Sequence, residues 1–248
     1  MKNIVLFFCL ITIPCWQGVF GQSAVGLAGS AQDKSPLTVM VEVTAARYLD
    51  AVAGQATLFY GRLQEPYGFS ATNHPYLKDP RYTKGALRYG GTLYPDVPLR
   101  WDMFRDELIA FSPDNYSVVL SPDKAEEATI HGYHIIYLQP DSLNNSPPPG
   151  YYLLLYTGQY TVLSKPVAVT QHKSIQQFIE NYFVINTKYY IKKEGTYFPI
   201  KSKDALLNAL GDYHKELNHF IRVNKYNFRR DAETMIVETV KEFEKHLP

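Results

Sequence analysis

Cysteine is nearly absent from this 248-residue chain: there are two, Cys9 and Cys15, and both lie near the amino terminus. The sequence from Gln22 onward has none, which excludes disulfides, thiolate nucleophiles and Cys-ligated metals from that part. A charge excess is missing too, since 25 Lys and Arg stand against 24 Asp and Glu. No basic surface for gripping nucleic acid is expected from such a balance. Gly-x-Ser-x-Gly, phosphate-cradling glycine loops and His-Glu-x-x-His are all missing, so serine hydrolase, nucleotide-binding and zincin chemistry lack their usual footing. Long apolar runs are also scarce. The longest, Ile4 to Ile13, falls short of the ~20 residues that cross a bilayer.

That run follows Met1-Lys2-Asn3 and is broken by Pro14, with Val19-Phe20-Gly21 ahead of Gln22. A short positive start, an apolar stretch and small residues before the cut form a secretory signal. Residues 1–21 are therefore expected to be a signal peptide and 22–37 a flexible segment. Lipidation at Cys15 is not expected, because Thr12-Ile13-Pro14 places a proline where the processing enzyme needs a small flexible residue. The sequence from Gln22 onward carries 24 cations and 24 acids and no stretch long enough for a membrane helix.

Aromatic residues are abundant, with 20 Tyr, 13 Phe and 2 Trp. From Thr38 to about residue 170 the text consists of short apolar-alternating runs between turn residues, and an antiparallel β domain is expected over 38–170. Leu87-Arg88-Tyr89, Gly90-Gly91 and Thr92-Leu93-Tyr94 read as a tight hairpin. Val97, Leu99 and Trp101 alternate with Pro98, Arg100 and Asp102, giving one apolar face. Further strands are expected at Glu107–Phe111, Ser117–Leu120, Ala128–Ile130, His134–Leu138, Tyr151–Tyr156 and Gln159–Leu163. Strands in succession without helical spacers predict an antiparallel sandwich or barrel. Pro147-Pro148-Pro149-Gly150 is expected to be an exposed loop.

Residues 171–248 read as a small α+β appendage, making the whole chain α+β, mainly β. Ser174 and Gln177 resemble a capping box, with Ile175, Phe178, Ile179 and Tyr182 at helical spacing. A hairpin follows around Lys193-Glu194-Gly195. Ser202 is placed to cap a helix in which Leu206, Leu210, Tyr213, Leu217 and Phe220 form one stripe. A second helix is expected from near Asp231, with acids early and cations late, as the helix dipole prefers.

His131 and His134 flank a glycine and lack a carboxylate at ligand spacing, so a structural role is expected, with no metal or other cofactor. Arg100-Trp101-Asp102-Met103-Phe104-Arg105-Asp106-Glu107 places each acid beside an arginine. Such neighbours hold carboxylates ionised, and an ion-paired hairpin is expected rather than an acid/base pair. Glycosidases need only two carboxyl groups from anywhere in the chain, which keeps a polysaccharide or peptidoglycan hydrolase among the alternatives. Tyrosine suits both half-wet strands and binding surfaces. The long aperiodic stretch Tyr67 to Lys84 is where function is expected. Candidate binding residues are Tyr67, His74, Tyr76, Tyr82, Tyr94 and Trp101; candidate partner-surface residues are Leu206, Leu210, Tyr213, Leu217 and Arg229.

Tyr82-Thr83-Lys84-Gly85, Leu87-x-Tyr89, Tyr94-x-Asp96-Val97, Leu99-Arg100-x-Asp102 and Arg105-Asp106-Glu107-Leu108 resemble a recurring pattern in exported proteins of Bacteroidetes bacteria. Tyr189-Tyr190-Ile191-Lys192, Ile200-Lys201-Ser202-Lys203 and Ile221-Arg222-x-Asn224-Lys225 are similar to the same group. That family has no assigned activity. The resemblance implies a two-membrane envelope, a place in the periplasm or at the outer membrane or cell surface, and an association with TonB-dependent outer-membrane transport. Asp141-Ser142-Leu143 matches the short O-glycosylation motif of these bacteria. The expectation is a non-catalytic exported protein that binds or scaffolds an envelope partner, its oligomeric state open. A lipocalin-like binder of a small apolar ligand or glycan is the other alternative.

Overall fold

The computed structural model describes residues 57–140, 146–175, 178–211 and 213–247. The expected signal peptide, the 22–37 segment, the strand beginning at Thr38 and the Asp141-Ser142-Leu143 motif lie outside them. Residues from 57 onward belong to one compact unit. Eleven strands are described: β1 Arg62–Leu63, β2 Thr83–Tyr89, β3 Thr92–Asp102, β4 Glu107–Phe111, β5 Ser117–Val119, β6 Ala125–Ile130, β7 Tyr133–Leu138, β8 Gly150–Thr157, β9 Thr161–Ile175, β10 Phe178–Lys193 and β11 Thr196–Ile200. Three helices follow: α1 Lys203–Leu210, α2 His214–Val223 and α3 Phe228–Glu244. None of the described helices is long and apolar enough to cross a membrane.

The strands form one antiparallel sheet in the order β1-β5-β4-β3-β2-β6-β7-β8-β9-β10-β11. The mainly-β, antiparallel class with helices at the end is as expected; the architecture is a single open sheet rather than two packed sheets or a closed barrel. Two-residue turns with both φ angles positive join β2 to β3 (Gly90, Gly91) and β6 to β7 (His131, Gly132). This turn type matches the twist of the strands it connects.

Although open, the sheet rolls around one core. Leu87, Leu99, Trp101, Leu108, Ile135 and Tyr151 are almost fully buried together with Ala168 of β9 and Phe183 of β10. The β3–β4 turn reaches β9 across the four strands between them, and Ala168 N–H donates to the Met103 carbonyl at 3.0 Å. Beside that bond the ammonium of Lys165 meets Asp106 at 2.7 Å and lies over the Tyr152 ring. The other Asp106 oxygen accepts from the Trp101 indole N–H at 3.3 Å. Gly150 makes room for this pair. A Cβ there would stand 2.1 Å from the Asp106 carboxylate and 2.2 Å from the Lys165 nitrogen, at a φ of +139°.

β9 and β10 form a hairpin of 15 and 16 residues, well beyond the usual ~5–6 per strand. β8 pairs β9 only as far as Ser164, so Pro166, two residues on, lacks its N–H on a side where no ladder bond is made. Residues 170–174 are exposed on both faces, and the hairpin therefore ends as an arm. The helix expected around 174–182 is instead this hairpin, with β10 in register against β9 from Phe178↔Ile175 to Lys192↔Thr161. Its aromatic and β-branched residues satisfy helical spacing and strand preference alike, and the long cross-strand ladder decides between them. The domain division expected at 170/171 falls inside β9, because this hairpin is shared by two cores.

At its base the hairpin supports the helices. Val162, Ile191 and Ile200 pack against Leu206, Leu207, Leu210, Leu217, Ile221, Met235, Ile236, Val240 and Phe243. Full burial of each such side chain contributes roughly 1.5–3 kcal/mol. Ser202 caps α1 as expected, accepting from Ala205 N–H at 3.1 Å. The single stripe predicted from Leu206 to Phe220 is split, because the chain turns at Gly211, whose N–H closes on the Leu207 carbonyl. Helix α3 starts at Phe228 and kinks at Asp231 (φ −128°, ψ 33°). Pro147 is buried, and the Pro148 carbonyl accepts from the Tyr152 hydroxyl at 2.6 Å, so the proline loop is only partly exposed.

Gly150→Ala is expected to destabilise the protein by about 3 kcal/mol, since it combines a strained backbone with separation of a partly buried ion pair. Urea unfolding of the variant against wild type measures it.

Candidate functional site

The segment from Gln64 to Tyr82 is aperiodic but tightly held. Leu77 N–H donates to the Trp101 carbonyl and Met103 N–H to the Pro75 carbonyl, each at 3.0 Å, so the segment runs along the end of β3 like a partial strand. Arg100 fixes its second half. The guanidinium lies 3.9 Å from the Tyr76 ring centre and 4.3 Å from that of Tyr82, and donates to the Pro80 carbonyl, Gln64 and the Tyr82 hydroxyl. Arg105 fixes the first half, donating to the Glu65 and Pro66 carbonyls and covering the Tyr67 ring.

Asp102 joins these parts. Fully buried, it accepts from Phe104 N–H at 2.9 Å and Arg105 N–H at 3.1 Å, while its other oxygen takes the Tyr67 hydroxyl. Among the described residues the ion-paired hairpin expected at 100–107 does not form, because both arginines go to carbonyls and aromatic faces. Asp106 instead pairs with Lys165, and Glu107 with Arg62. These acids are held in structural contacts, an arrangement that favours support over proton transfer.

The segment then crosses to the hairpin arm. Asn73 donates its amide to the Phe183 carbonyl at 2.8 Å and accepts from Phe183 N–H at 2.7 Å, imitating a strand along the outer edge of β10. Thr72 N–H adds a bond to the Asn181 carbonyl. Tyr67, Phe69 and Phe104 gather over Phe183, with ring centres 5.4–5.9 Å apart. Phe69 and Phe104 nevertheless stay more than a third exposed. Further along the same inner face of β10, Ile179 is 72% exposed on one side of Phe183 and Ile185 48% on the other.

Ile185 belongs to a cleft of about 270 Å³ between the two cores. Leu77, Met103, Leu153, Pro166 and Ile185 give it an apolar lining, and His74, Tyr76, Lys78, Tyr133, Thr187 and Glu233 add polar groups. Compared with family models, curated proteins and solved structures, the chain matches none.

Of the candidate binding residues, His74 and Tyr76 line the cleft, Tyr67 holds the aromatic cluster, and Tyr82 clamps Arg100. Tyr94 and Trp101 are core side chains, 9% and 0% exposed, and present no binding surface. Leu206, Leu210 and Leu217 are buried against the sheet and give no partner surface either; the amphipathic stripe found its partner within the chain. Tyr213 is 42% exposed and stacks on His246, and Arg229 is exposed at the start of α3. His131 bonds Thr83 and His134 bonds Glu127, so they diverge, and no group able to hold a metal occurs among the described residues. Phe69, Phe104, Ile179, Ile185, Lys78 and Glu233 were not singled out. The signal for Ile179 was strand alternation along β10, hidden by the helical reading; Ile185 lies in the part of β10 that the hairpin around Lys193-Glu194-Gly195 already makes a strand.

Inside the roll Trp101, Leu87, Leu99, Ile135 and Tyr151 are core side chains, each 1% exposed or less. Three phenols hold protons unusually firmly. Burial, then the bond to Asp102, pushes Tyr67 far above the ordinary value of 10. Burial raises Tyr151 and Tyr152 as well, helped respectively by Asp106 and Tyr190. The folded state thus favours the neutral phenols. Their stabilisation is present below the unfolded pKa of about 10 and is lost as pH rises above it. Unfolding free energy is expected to fall steeply above about pH 10 and less steeply in Tyr152→Phe. At neutral pH Tyr67→Phe is expected to lose about 1–3 kcal/mol, because a buried Asp102 oxygen loses its donor. Urea titrations from neutral to alkaline pH test both.

Proposed function

We propose that the chain is an exported, non-catalytic protein of the bacterial cell envelope that binds another envelope protein through its β9–β10 arm. The observation carrying this is the apolar strip of Phe69, Phe104 and Ile179 beside an open strand edge. Export is supported by the signal-like order of residues 1–21, and the envelope setting by the resemblance in the sequence. The partner is an extended polypeptide segment. Ala168 N–H faces away from β10 toward Met103, so by strand alternation Thr170, His172 and Ser174 face the same way. Among the described residues no backbone bond meets these groups. An unpaired edge beside apolar side chains accepts an added strand, with main-chain bonds supplying affinity and side-chain contacts specificity.

Thr170→Pro removes one outward N–H while keeping the β9–β10 ladder, as Pro166 already does four residues earlier. In affinity capture from detergent-solubilised envelopes, a protein recovered with wild type is expected to fall at least about tenfold with Thr170→Pro and with Ile179→Ser. Repeated recovery of the protein alone, or a partner retained equally by both variants, overturns the reading. The amino terminus of the envelope-fraction protein is expected at Gln22; uncleaved cytosolic chain contradicts export.

A further inference from the structure

The cleft between the two cores is a separate matter from the arm. Its floor is the inner face of the hairpin between the two cores: Ser164, Pro166, Ile185 and Thr187 lie between Ala168 and Phe183 on one side and Val162 and Ile191 on the other. Residues of the 74–78 segment, Tyr133 and Glu233 of α3 line the rest of it. At about 270 Å³ the space equals roughly nine waters at ~30 Å³ each, near the lower bound for small-molecule sites.

Its polar groups are of both signs and point to a particular chemistry. Lys78 is exposed, near the face of the Tyr133 ring; its ammonium is kept charged by the Tyr133 hydroxyl and then by Glu233. His74 accepts the Tyr76 N–H on Nδ1 at 3.3 Å, which leaves the neutral ring its proton, and a donor, on Nε2. Glu233 is exposed and makes no hydrogen bond or ion pair among the described residues; its charge reaches Lys78 and Tyr189. Beneath them the Ser164 hydroxyl is fully buried without a hydrogen-bond partner. Leaving such a group unpaired costs about 1–3 kcal/mol. The larger groove of about 490 Å³ between α2 and α3 is unlike this. There His219 is bonded to Arg222 and Glu242 to Lys245.

We infer that the cleft binds a free α-amino acid with an apolar side chain, its carboxylate toward Lys78 and His74, its ammonium toward Glu233, and its side chain against Leu77, Leu153 and Ile185. Two opposite charges at the lip of an apolar floor complement a zwitterion with a hydrocarbon tail. A neutral apolar molecule would leave both charges unused, and a simple anion would face Glu233. Charge-assisted bonds at both ends fix orientation, and the floor supplies the area term.

Isothermal titration of the purified protein with L-leucine tests this without any envelope partner, so its failure is distinct from failure of the arm reading. Saturable binding by leucine is expected, with N-acetyl-leucine, leucinamide and glycine each at least about tenfold weaker. Glu233→Gln and Lys78→Met, both at exposed positions, are expected to weaken leucine about tenfold. Glu233→Gln is further expected to abolish the discrimination against N-acetyl-leucine, which a merely structural role would not do. No binding of leucine, valine or phenylalanine at ~10 mM, weaker than the weakest useful affinities, overturns the inference. Equal binding of leucine and its two blocked analogues overturns it as well.

Discussion

Lys165 and Asp106 are 59 residues apart and sit on parts of the sheet that are not neighbours, yet their charged atoms meet at 2.7 Å. The contact exists because Gly150 has no side chain to keep them apart. An ammonium left alone at this depth would be costly, so each partner constrains the other's position. The constraint is transmitted directly: with Asp106 held, the β3–β4 turn rests on β9, Met103 accepts from Ala168, and Phe104 reaches Phe183. A flat eleven-stranded sheet would expose one of its faces; this contact rolls it onto a core.

The roll determines where recognition can occur. Once the turn is seated, Asp102 fixes Tyr67 and the 64–82 segment follows the end of β3 to the hairpin. The hairpin is too long for one core to cover. The rolled sheet covers its middle and the helices its base, leaving an apolar gap between them and a bare arm beyond. Ile179 and Ile185 mark those two uncovered stretches, on opposite sides of a Phe183 that the aromatic cluster encloses.

Much of this was legible in the chain. Alternation at Val97, Leu99 and Trp101 located a buried face, and paired glycines at 90 and 91 located a tight hairpin, because both signals are local. Ser202 read correctly as a cap for the same reason. The start of β10 did not read correctly, since Ile175, Phe178, Ile179 and Tyr182 fit a helix as well as a strand and only the ladder with β9 decides. Acids near arginines suggested ion pairs, but adjacency in sequence says little about which face of a turn each side chain takes. Lys165 was invisible as Asp106's partner because the roll that joins them is a tertiary event. Tyr94 and Trp101 illustrate the ambiguity of aromatic residues: the same ring serves core and surface, and burial alone separates them.

The account therefore stands on the ion pair as the element that shapes the inner face. A double-mutant cycle with Asp106→Asn, Lys165→Met and the double variant, read by urea unfolding, tests this most directly. The expected result is a coupling energy above about 1.5 kcal/mol, as for groups in one buried network. Additive effects to within about 0.5 kcal/mol, as for independent sites, would contradict it.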